Sequence, residues 1–331
     1  MTRRRAHGSV APPRGHHGAA LLMPVTNVSI ITDGPPGRTG GRGGWSTSAP
    51  EEGVSESQLA LLRRYGIRPV KRRGQNFLVD GNLARAIAQD VVALSPRVLE
   101  LGAGAGALTS HLLDAAERVV GVEVDRKLCA VLAAEFGERP HFTLLEDDLA
   151  RLDWDAAVAR TGVRPVIAGN LPYVLTSKVL FALADLRERV AGGIFMVQRE
   201  VADRLLARVG TRDHGILSVV MGSLFAVELV RPVPAAVFWP RPEVGSAVVR
   251  LVPRDRWPDA EYAPFLATVK TLFQQRRKQI GTAMRRQLGL DEATAADVAD
   301  AAGIAPSVRP EQVPAADWRR LASVLADRGF I

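Results

Sequence analysis

Short β-branched runs alternate with stretches of helical character from residue 97 to residue 252, and this alternation constrains the fold more than any other feature. We predict strands over residues 97–101, 118–124, 142–145, 165–168, 193–198, 227–232 and 247–252. We predict helices over residues 105–115, 126–136, 176–190 and 199–209. Such alternation is typical of an α/β fold with a doubly wound, mostly parallel sheet, here of seven strands. Ligands of such sheets bind beyond the carboxyl ends of the strands.

The chain on either side of this region has a different character. Residues 253–331 lack strand patterns and predict a small helical domain with helices over residues 262–288, 291–303 and 315–327. Residues 54–252 form the predicted sheet domain.

Residues 1–53 are Gly-rich and carry little apolar periodicity, so we expect a disordered extension. A basic nucleic-acid arm, a targeting segment and a misassigned start codon are alternatives for this extension. The first 50 residues contain six Arg and one Asp, which is +5 of the net charge of +8. Most of the positive charge therefore lies in this extension rather than in the folded part.

The first predicted helix of the C-terminal domain has charges of one sign. Residues 262–288 contain six basic residues and no acidic one. A helix of one charge repels itself unless an anion neutralises it, so phosphate contact is the favoured interpretation and a solvated face is the alternative. The predicted RNA-binding residues are Arg276, Arg277, Lys278, Arg285 and Arg286.

Composition excludes several classes of protein. No stretch approaches 18 uncharged apolar residues, so no membrane span is expected. The single cysteine, Cys129, cannot form an internal disulfide, which favours a reducing, cytoplasmic setting. The six His residues show no ligand spacing, so we expect no metal site.

A glycine-rich loop follows the first predicted strand. Gly102, Gly104 and Gly106 would let the backbone pass close to a ligand, and Glu123 ends the next strand where a carboxylate reaches ribose hydroxyls. This pattern alone does not separate NAD from S-adenosylmethionine, since it also satisfies the dinucleotide fingerprint. Asp148, after the third strand, could accept a hydrogen bond from an adenine amine or cap a helix.

The fourth predicted strand ends in the turn Asn170-Leu171-Pro172-Tyr173. The Asn170 carboxamide and the Leu171 carbonyl could both accept hydrogen bonds from the amine of a base, and Tyr173 could stack on the base. Pro172 makes the turn rigid and restricts Leu171 to an extended conformation. An ordinary loop with a buried Tyr is the alternative.

Together these motifs resemble those of the bacterial ribosomal RNA adenine dimethyltransferases of the KsgA/RsmA type, from about residue 65 to the C-terminus. The motifs that carry the resemblance are Arg73-Gly-Gln-Asn-Phe-Leu78, Glu100 to Gly104, Glu123, Asp148, Asn170 to Tyr173, Phe195-Met-Val-Gln-Arg-Glu200, Gly215-Ile-Leu-Ser218, Val237-Phe-Trp-Pro-Arg-Pro-Glu-Val-Gly-Ser246, Phe273-Gln-Gln-Arg-Arg-Lys278, Gly303-Ile304 and Arg309-Pro-Glu311.

The resemblance implies a Rossmann-like S-adenosylmethionine-dependent sheet and a role for each matching residue. The implied cofactor-binding residues are Asn76, Leu78, Gly102, Gly104, Glu123, Asp148 and Asn170. Tyr173 and Phe238 would hold the target adenine between them. The chain departs from the family pattern at Val174, where Asn is common, at Gly102-Ala-Gly104, which replaces Gly-Pro-Gly, and at Gly245, where Asp is usual.

The implied activity is dimethylation of N6 on two adjacent adenines in a hairpin loop near the 3′ end of 16S rRNA. The implied partner is the precursor of the small ribosomal subunit, and the protein is expected to be a monomer. Methylation of large-subunit rRNA of the macrolide-resistance type and a non-catalytic RNA or DNA binder are alternatives. An NAD oxidoreductase is a further alternative, but the His or Tyr/Lys acid that hydride transfer requires does not accompany the glycine loop.

Overall fold

The computed structural model describes residues 57–70, 74–254 and 257–331. The extension expected to be disordered, residues 1–53, lies outside the described residues. Within the described part, no helix has the length and apolar character needed to cross a membrane. The described residues belong to a single compact unit.

A seven-stranded sheet forms the centre of this unit. Its strands are β2 (Arg97–Leu101), β3 (Arg118–Glu123), β4 (Phe142–Glu146), β5 (Val166–Asn170), β6 (Gly192–Gln198), β7 (Phe225–Val233) and β9 (Ser246–Pro253). Their order across the sheet is β4-β3-β2-β5-β6-β9-β7, and β9 runs antiparallel to both of its neighbours, β6 and β7. The predicted seven-stranded, mostly parallel α/β sheet is confirmed.

Helices cover both faces of the sheet and extend beyond it. They are α1 (Gln58–Arg64), α2 (Gly81–Leu94), α3 (Thr109–Leu113), α4 (Arg126–Phe136), α5 (Trp154–Thr161), α6 (Thr176–Asp185), α7 (Arg199–Leu205), α8 (Ile216–Leu224), α9 (Asp259–Leu272), α10 (Ile280–Leu288), α11 (Glu292–Ala301) and α12 (Ala315–Asp327). Helix α4 has the predicted bounds, whereas α3 begins later and α6 ends earlier than predicted.

The prediction of one helix over residues 262–288 is wrong. The chain forms α9, a 3-10 turn at Phe273–Gln275 and then α10. The backbone N–H of Ile280 donates to Val308 O at 2.7 Å, and that of Gly281 donates to Pro306 O at 3.1 Å. The first turn of α10 therefore bonds to a distant segment instead of continuing the preceding helix. Local periodicity does not reveal such a long-range contact.

A two-stranded antiparallel ribbon, absent from the sequence prediction, ties the start of the fold to its later part. Strand β1 (Phe77–Leu78) pairs with β8 (Phe238–Trp239), and Phe77 lies opposite Trp239 in the register. Two-residue strands are too short for period-two alternation to be visible. The ribbon places the segment before α2 against the large sheet.

Two hydrophobic clusters fill the two faces of the sheet. One runs without interruption from sheet residues such as Leu99 and Phe195 to Phe265 and Trp318 in the C-terminal helices. The other packs α2 and α3 against the opposite face, around residues such as Val98. Because the first cluster crosses residue 253, the division into domains 54–252 and 253–331 stays a prediction.

Candidate active site

A pocket of about 430 Å³ opens at the carboxyl ends of β2, β3 and β5. These parallel strands end at the same edge of the sheet, so the loops that follow them meet there. The predicted site residues that line the pocket are Asn76, Leu78, Gly102, Gly104, Glu123, Asp148, Asn170, Leu171, Pro172 and Tyr173. The fold thus brings together ten residues that are spread over almost 100 positions of the sequence, from Asn76 to Tyr173.

The glycine loop after β2 takes a conformation that side chains rarely adopt. Gly102 and Gly104 have φ angles of +67° and +61°. The backbone N–H of Gly102 donates to Val122 O at 2.9 Å, which fastens the loop to β3. A Cβ at Gly102 would lie 3.7 Å from the carbonyl oxygen of Asn170, so these two loops approach one another closely.

Glu123 is buried and holds this loop through backbone donors. Its Oε2 accepts the N–H of Gly104 at 2.9 Å, and its Oε1 accepts those of Val124 and Asp125, each at 2.9 Å. Burial raises the pKa of the Glu123 carboxyl, and the three backbone donors oppose that rise. A carboxylate offers about four lone-pair sites. One acceptor site on Glu123 therefore remains beyond the three used within the protein.

Glu100, which sequence analysis assigned no role, is a second buried carboxyl in the pocket wall. Its Oε2 accepts the hydroxyl of Thr109 at 2.7 Å. Burial raises the pKa of Glu100 to about 8, and repulsion from Glu123 adds to that rise. Only its position before the glycine loop marked it in the sequence, because the degree of burial is a tertiary property.

Asp148 lies on the pocket wall in a turn and not at a helix N-terminus. Its Oδ1 accepts the N–H of Ala150 at 2.8 Å, and its own N–H donates to Asp147 Oδ1 at 2.7 Å. The helix-capping alternative is therefore replaced by a local turn in which Asp148 bonds to the backbone two residues on. Its Oδ2 has no hydrogen bond among the described residues.

The Asn170 turn is held at several points. Asn170 Nδ2 donates to the backbone carbonyl of Asn76 at 3.0 Å, and the N–H of Leu171 donates to Met196 O at 3.2 Å. Pro172 O accepts from Leu175 N at 2.9 Å. Within the described part of the chain, nothing donates to Asn170 Oδ1 or to the carbonyl oxygen of Leu171. Two acceptors are thus left free beside Tyr173.

Phe238 lies behind the residues that line this pocket. Its side chain is 5% exposed and packs in the cluster that also contains Leu78 and Met196, two residues of the wall. The expected arrangement of Tyr173 and Phe238 as two faces of one slot for the target adenine stays a prediction. Strand pairing turns Phe238 inward, opposite Leu78, and period-two alternation then exposes Trp239.

Two of the departures from the family pattern have a clear structural setting. Val174 is 88% exposed at the pocket rim, so it takes part in no buried hydrogen-bond network. Gly245 bonds through its backbone, since its carbonyl accepts the N–H of Arg199 at 3.0 Å.

The basic segment, residues 270–286, lies outside the pocket lining. Arg276 forms an ion pair with Glu311 at 4.0 Å and also donates to the carbonyl of Arg212, and Arg285 pairs with Glu292 at 3.3 Å. Arg277, Lys278 and Arg286 are exposed, and no acidic partner for them occurs in the described ranges. Acidic residues elsewhere in the protein therefore neutralise part of the positive charge of the basic segment. The sequence of the segment alone does not show this.

Sequence analysis also assigned no role to two glutamines at the pocket. Gln58 Nε2 donates to Ala105 O at 3.1 Å, and Gln75 Nε2 donates to Asp125 Oδ2 at 3.3 Å. Gln75 belongs to the Arg73 to Leu78 motif, which was the available signal. Gln58 lies on α1, and no local pattern marked it.

The charge of the pocket discriminates between the two cofactor classes that the glycine loop left open. Four carboxyl residues line it, namely Glu100, Glu123, Asp147 and Asp148. Glu100 is largely neutral near pH 7, because its pKa is raised to about 8, so it adds little charge. The other three carboxyl groups repel the pyrophosphate of a dinucleotide and suit a cofactor with a sulfonium and an ammonium group. The free acceptors on Glu123 and Asp148 suit ribose hydroxyls and an adenine amine. The fold and the pocket thus define an S-adenosylmethionine-dependent methyltransferase.

Comparison with known proteins narrows this class. The family model described as ribosomal RNA adenine dimethylase matches residues 69–327. The chain belongs to this family, and it is an rRNA adenine dimethyltransferase.

A relative in Anaeromyxobacter sp. (strain K), ribosomal RNA small subunit methyltransferase A, is 42% identical over 81% of this chain and 98% of its own length. Among solved structures, the 23S rRNA methyltransferase ErmE has a TM-score of 0.58 at 26% identity, covering 76% of this chain and 100% of its own. A dimethyladenosine transferase from Plasmodium falciparum has a TM-score of 0.62 at 20% identity, covering 74% of this chain and 96% of its own. This similarity supports the fold.

Proposed function

We propose that this protein dimethylates N6 of two adjacent adenines in a hairpin loop near the 3′ end of 16S rRNA during small-subunit assembly. The observation that carries the proposal is the pair of free acceptors, Asn170 Oδ1 and the Leu171 carbonyl, beside Tyr173. Relatives named ribosomal RNA small subunit methyltransferase A, at 34% to 42% identity, support the choice of subunit.

The pocket wall would hold the cofactor through residues on four loops. Glu123 would accept from ribose hydroxyls through its remaining lone pair, and Asp148 Oδ2 would accept from the adenine amine. Gly102 and Gly104 would pass beneath the methionine part, and Asn76 and Leu78 would close the pocket from the N-terminal side. When bound, S-adenosylmethionine supplies an electrophilic methyl group.

Asn170 and Leu171 would act on the target amine. The N6 amine of adenine is a poor nucleophile because its lone pair is delocalised into the ring. Acceptance of its protons by Asn170 Oδ1 and the Leu171 carbonyl would favour a pyramidal nitrogen and stabilise the positive charge that develops on it. The bond from Asn170 Nδ2 to Asn76 O fixes which end of the carboxamide is available.

Positioning would supply much of the remaining rate enhancement. Holding reacting groups in line is worth about 7 to 11 kcal/mol in favourable cases. Tyr173 would stack on the unstacked base.

A hairpin loop suits this site better than a duplex. Extruding a base costs a few kcal/mol, and the cost is smaller where the base is already unpaired. The basic segment would hold the surrounding phosphates through Arg276, Arg277, Lys278, Arg285 and Arg286. Of these, the exposed side chains without acidic partners are the strongest candidates.

Methylation of large-subunit rRNA is a second candidate, because the structure of a 23S rRNA methyltransferase covers most of this chain. Enzymes of that type usually carry Ile in place of Leu171 and lack the Arg309-Pro-Glu311 pattern. Both features favour the small subunit.

Incubation with labelled S-adenosylmethionine and with small or large ribosomal subunits from cells that lack the activity tests the proposal. We expect label in small-subunit RNA, with digestion yielding N6,N6-dimethyladenosine at two neighbouring positions. Label confined to large-subunit RNA would contradict the choice of subunit. Binding to RNA without label in either subunit would support the non-catalytic alternative.

A further inference from the structure

Trp239 is an exposed aromatic residue beside the active site, and the proposed methyl transfer does not use it. Its side chain is 37% exposed. One face is covered by Phe77, with ring centroids 6.5 Å apart and the planes inclined by 25°. An indole partly open to water and packed on another ring is a stable, rigid surface with one free side.

The ribbon formed by β1 and β8 connects Trp239 directly to the catalytic turn. Phe77 is its partner in the register and lines the pocket, where a Cβ at Gly104 would lie 3.8 Å from the Phe77 ring. The preceding residue, Asn76, accepts the hydrogen bond from Asn170 Nδ2 at 3.0 Å. Trp239 therefore lies one aromatic layer outside the wall of the pocket that would receive the target adenine.

The surroundings of Trp239 suit an unpaired stretch of nucleic acid. Arg241, two residues further along the chain, is exposed and has no ion pair among the described residues. Val174, on the rim of the same pocket, is 88% exposed. An aromatic face accompanied by a cation is the combination that binds single-stranded RNA, since every base has a face that stacks.

We propose that Trp239 is a stacking platform for a nucleobase next to the target adenine, with Arg241 contacting the adjoining phosphate. This inference rests on the proposed function, because it requires that a single-stranded RNA loop enters the pocket. When the target adenine leaves the loop stack, its neighbour loses a stacking partner. The indole replaces that partner and so lowers the cost of extruding the adenine.

A purely structural role for Trp239 makes a different prediction. If the indole only covers Phe77, which is 7% exposed, its replacement would lower stability and leave RNA affinity unchanged. Stacking on a base changes RNA affinity and leaves cofactor affinity unchanged. The two roles therefore differ in which measurement responds.

Two substitutions distinguish the stacking surface of the Trp239 ring from the apolar cover that the side chain gives to Phe77. Trp239→Phe keeps a flat ring, whereas Trp239→Leu keeps apolar cover over Phe77 without one. Leu229→Ala is the matched control, because Leu229 is 40% exposed on strand β7 at the far edge of the sheet. The RNA probe is a hairpin whose loop contains two adjacent adenines, and the same hairpin with abasic nucleotides flanking them is the second probe.

We expect Trp239→Leu to weaken binding of the intact hairpin by about 5- to 150-fold, the range that corresponds to loss of one stacked base. We expect Trp239→Phe to bind within a few-fold of the unaltered protein, and Leu229→Ala to bind like it. On the abasic hairpin, the difference between the unaltered protein and Trp239→Leu should disappear. Calorimetry with S-adenosylmethionine should give equal affinities for all four proteins and confirm that each is folded.

Equal affinity of Trp239→Leu and the unaltered protein for the intact hairpin would overturn the inference. So would an affinity loss of the same size on the abasic hairpin, since that loss would not involve a base. If the unaltered protein methylates rRNA but Trp239→Leu binds normally, the inference fails and the proposed function stands. If the unaltered protein methylates no rRNA, the proposed function itself fails.

Discussion

The pocket and the basic segment differ in how their charged and polar groups are held. In the pocket, Glu123 accepts three backbone N–H groups, and Asn170 is fastened to the Asn76 carbonyl. In the basic segment, Arg277 and Lys278 are exposed. The pocket groups have defined positions because the backbone fixes them, whereas the basic groups act mainly through their charge. Mutations in the pocket should therefore act by changing the positions of groups. Mutations in the basic segment should instead change how strongly RNA binding depends on salt.

The largest effect should follow from Asn170→Ala. Loss of one positioned group that stabilises transition-state charge costs about 10²- to 10³-fold in rate. We expect methyl transfer to fall by about 10²- to 10³-fold, with S-adenosylmethionine affinity within a few-fold of normal. Single-turnover kinetics with labelled cofactor and equilibrium dialysis measure the two quantities. Transfer at a normal rate would show that Asn170 does not act on the target amine.

A second test concerns the close approach of β5 to β2. A Cβ at Gly169 would lie 2.3 Å from the backbone carbonyl oxygen of Leu101, so the two strands would have to separate. We expect Gly169→Ala to lower the free energy of unfolding by about 3 kcal/mol, as overpacking against an immobile backbone does. Gly104→Ala is the matched control, with a nearest contact of 3.8 Å and a φ of +61°. Its strain should cost about 1 to 2 kcal/mol, and urea denaturation compares the two.

Glu100 tests the role of burial in the pocket. Its pKa is raised from the ordinary value of 4.5 to about 8, chiefly by burial. The protonated side chain therefore favours the folded state below about pH 4.5, and this contribution is lost as pH rises towards 8. We expect the free energy of unfolding of the cofactor-free protein to fall by on the order of 1 kcal/mol between pH 6 and pH 7 from this group.

Glu100→Gln should remove that part of the pH dependence, and exposed Glu138→Gln should leave it in place. Urea denaturation at several pH values measures it. An unchanged pH dependence in Glu100→Gln would show that the carboxyl is ionised throughout this range.

The basic segment should respond through the salt dependence of RNA binding. We expect Arg277→Ala and Lys278→Ala each to reduce the slope of log affinity against log salt by roughly 1. Arg285→Ala should change the slope less than Arg286→Ala, because Arg285 is paired with Glu292 at 3.3 Å. Filter binding of an RNA hairpin at several salt concentrations gives these slopes. Equal slopes for all variants and for the unaltered protein would exclude phosphate contact by this segment.

The smallest effect on stability should come from Val174→Asn. Val174 is 88% exposed, and surface substitutions of this kind change the free energy of unfolding by less than about 0.5 kcal/mol. Thermal denaturation checks this value. A larger loss would mean that Val174 packs against another part of the protein.

The sequence predicted the position and rigidity of the Asn170 turn more accurately than the bounds of the C-terminal helices, for a physical reason. Pro172 restricts its neighbours by local sterics, and strand alternation is likewise a local signal. The break between α9 and α10 depends on a hydrogen bond from Ile280 to Val308 O. Phe238 turns inward because β8 pairs with β1, two strands too short to recognise in sequence. In both places a contact between distant residues decides the local structure, and no pattern in the nearby sequence reveals it.

By itself, the sequence determined the sheet, the glycine loop and the Asn170 turn, because short-range backbone preferences and hydrophobic periodicity specify them. Only the tertiary structure decided three other properties: the gathering of acidic groups in a pocket that favours a cationic cofactor, the raised pKa of Glu100, and the exposure of Trp239. Electrostatic energy and burial depend on what surrounds a group in space. Those surroundings come from loops and strands that the chain brings together only when it folds.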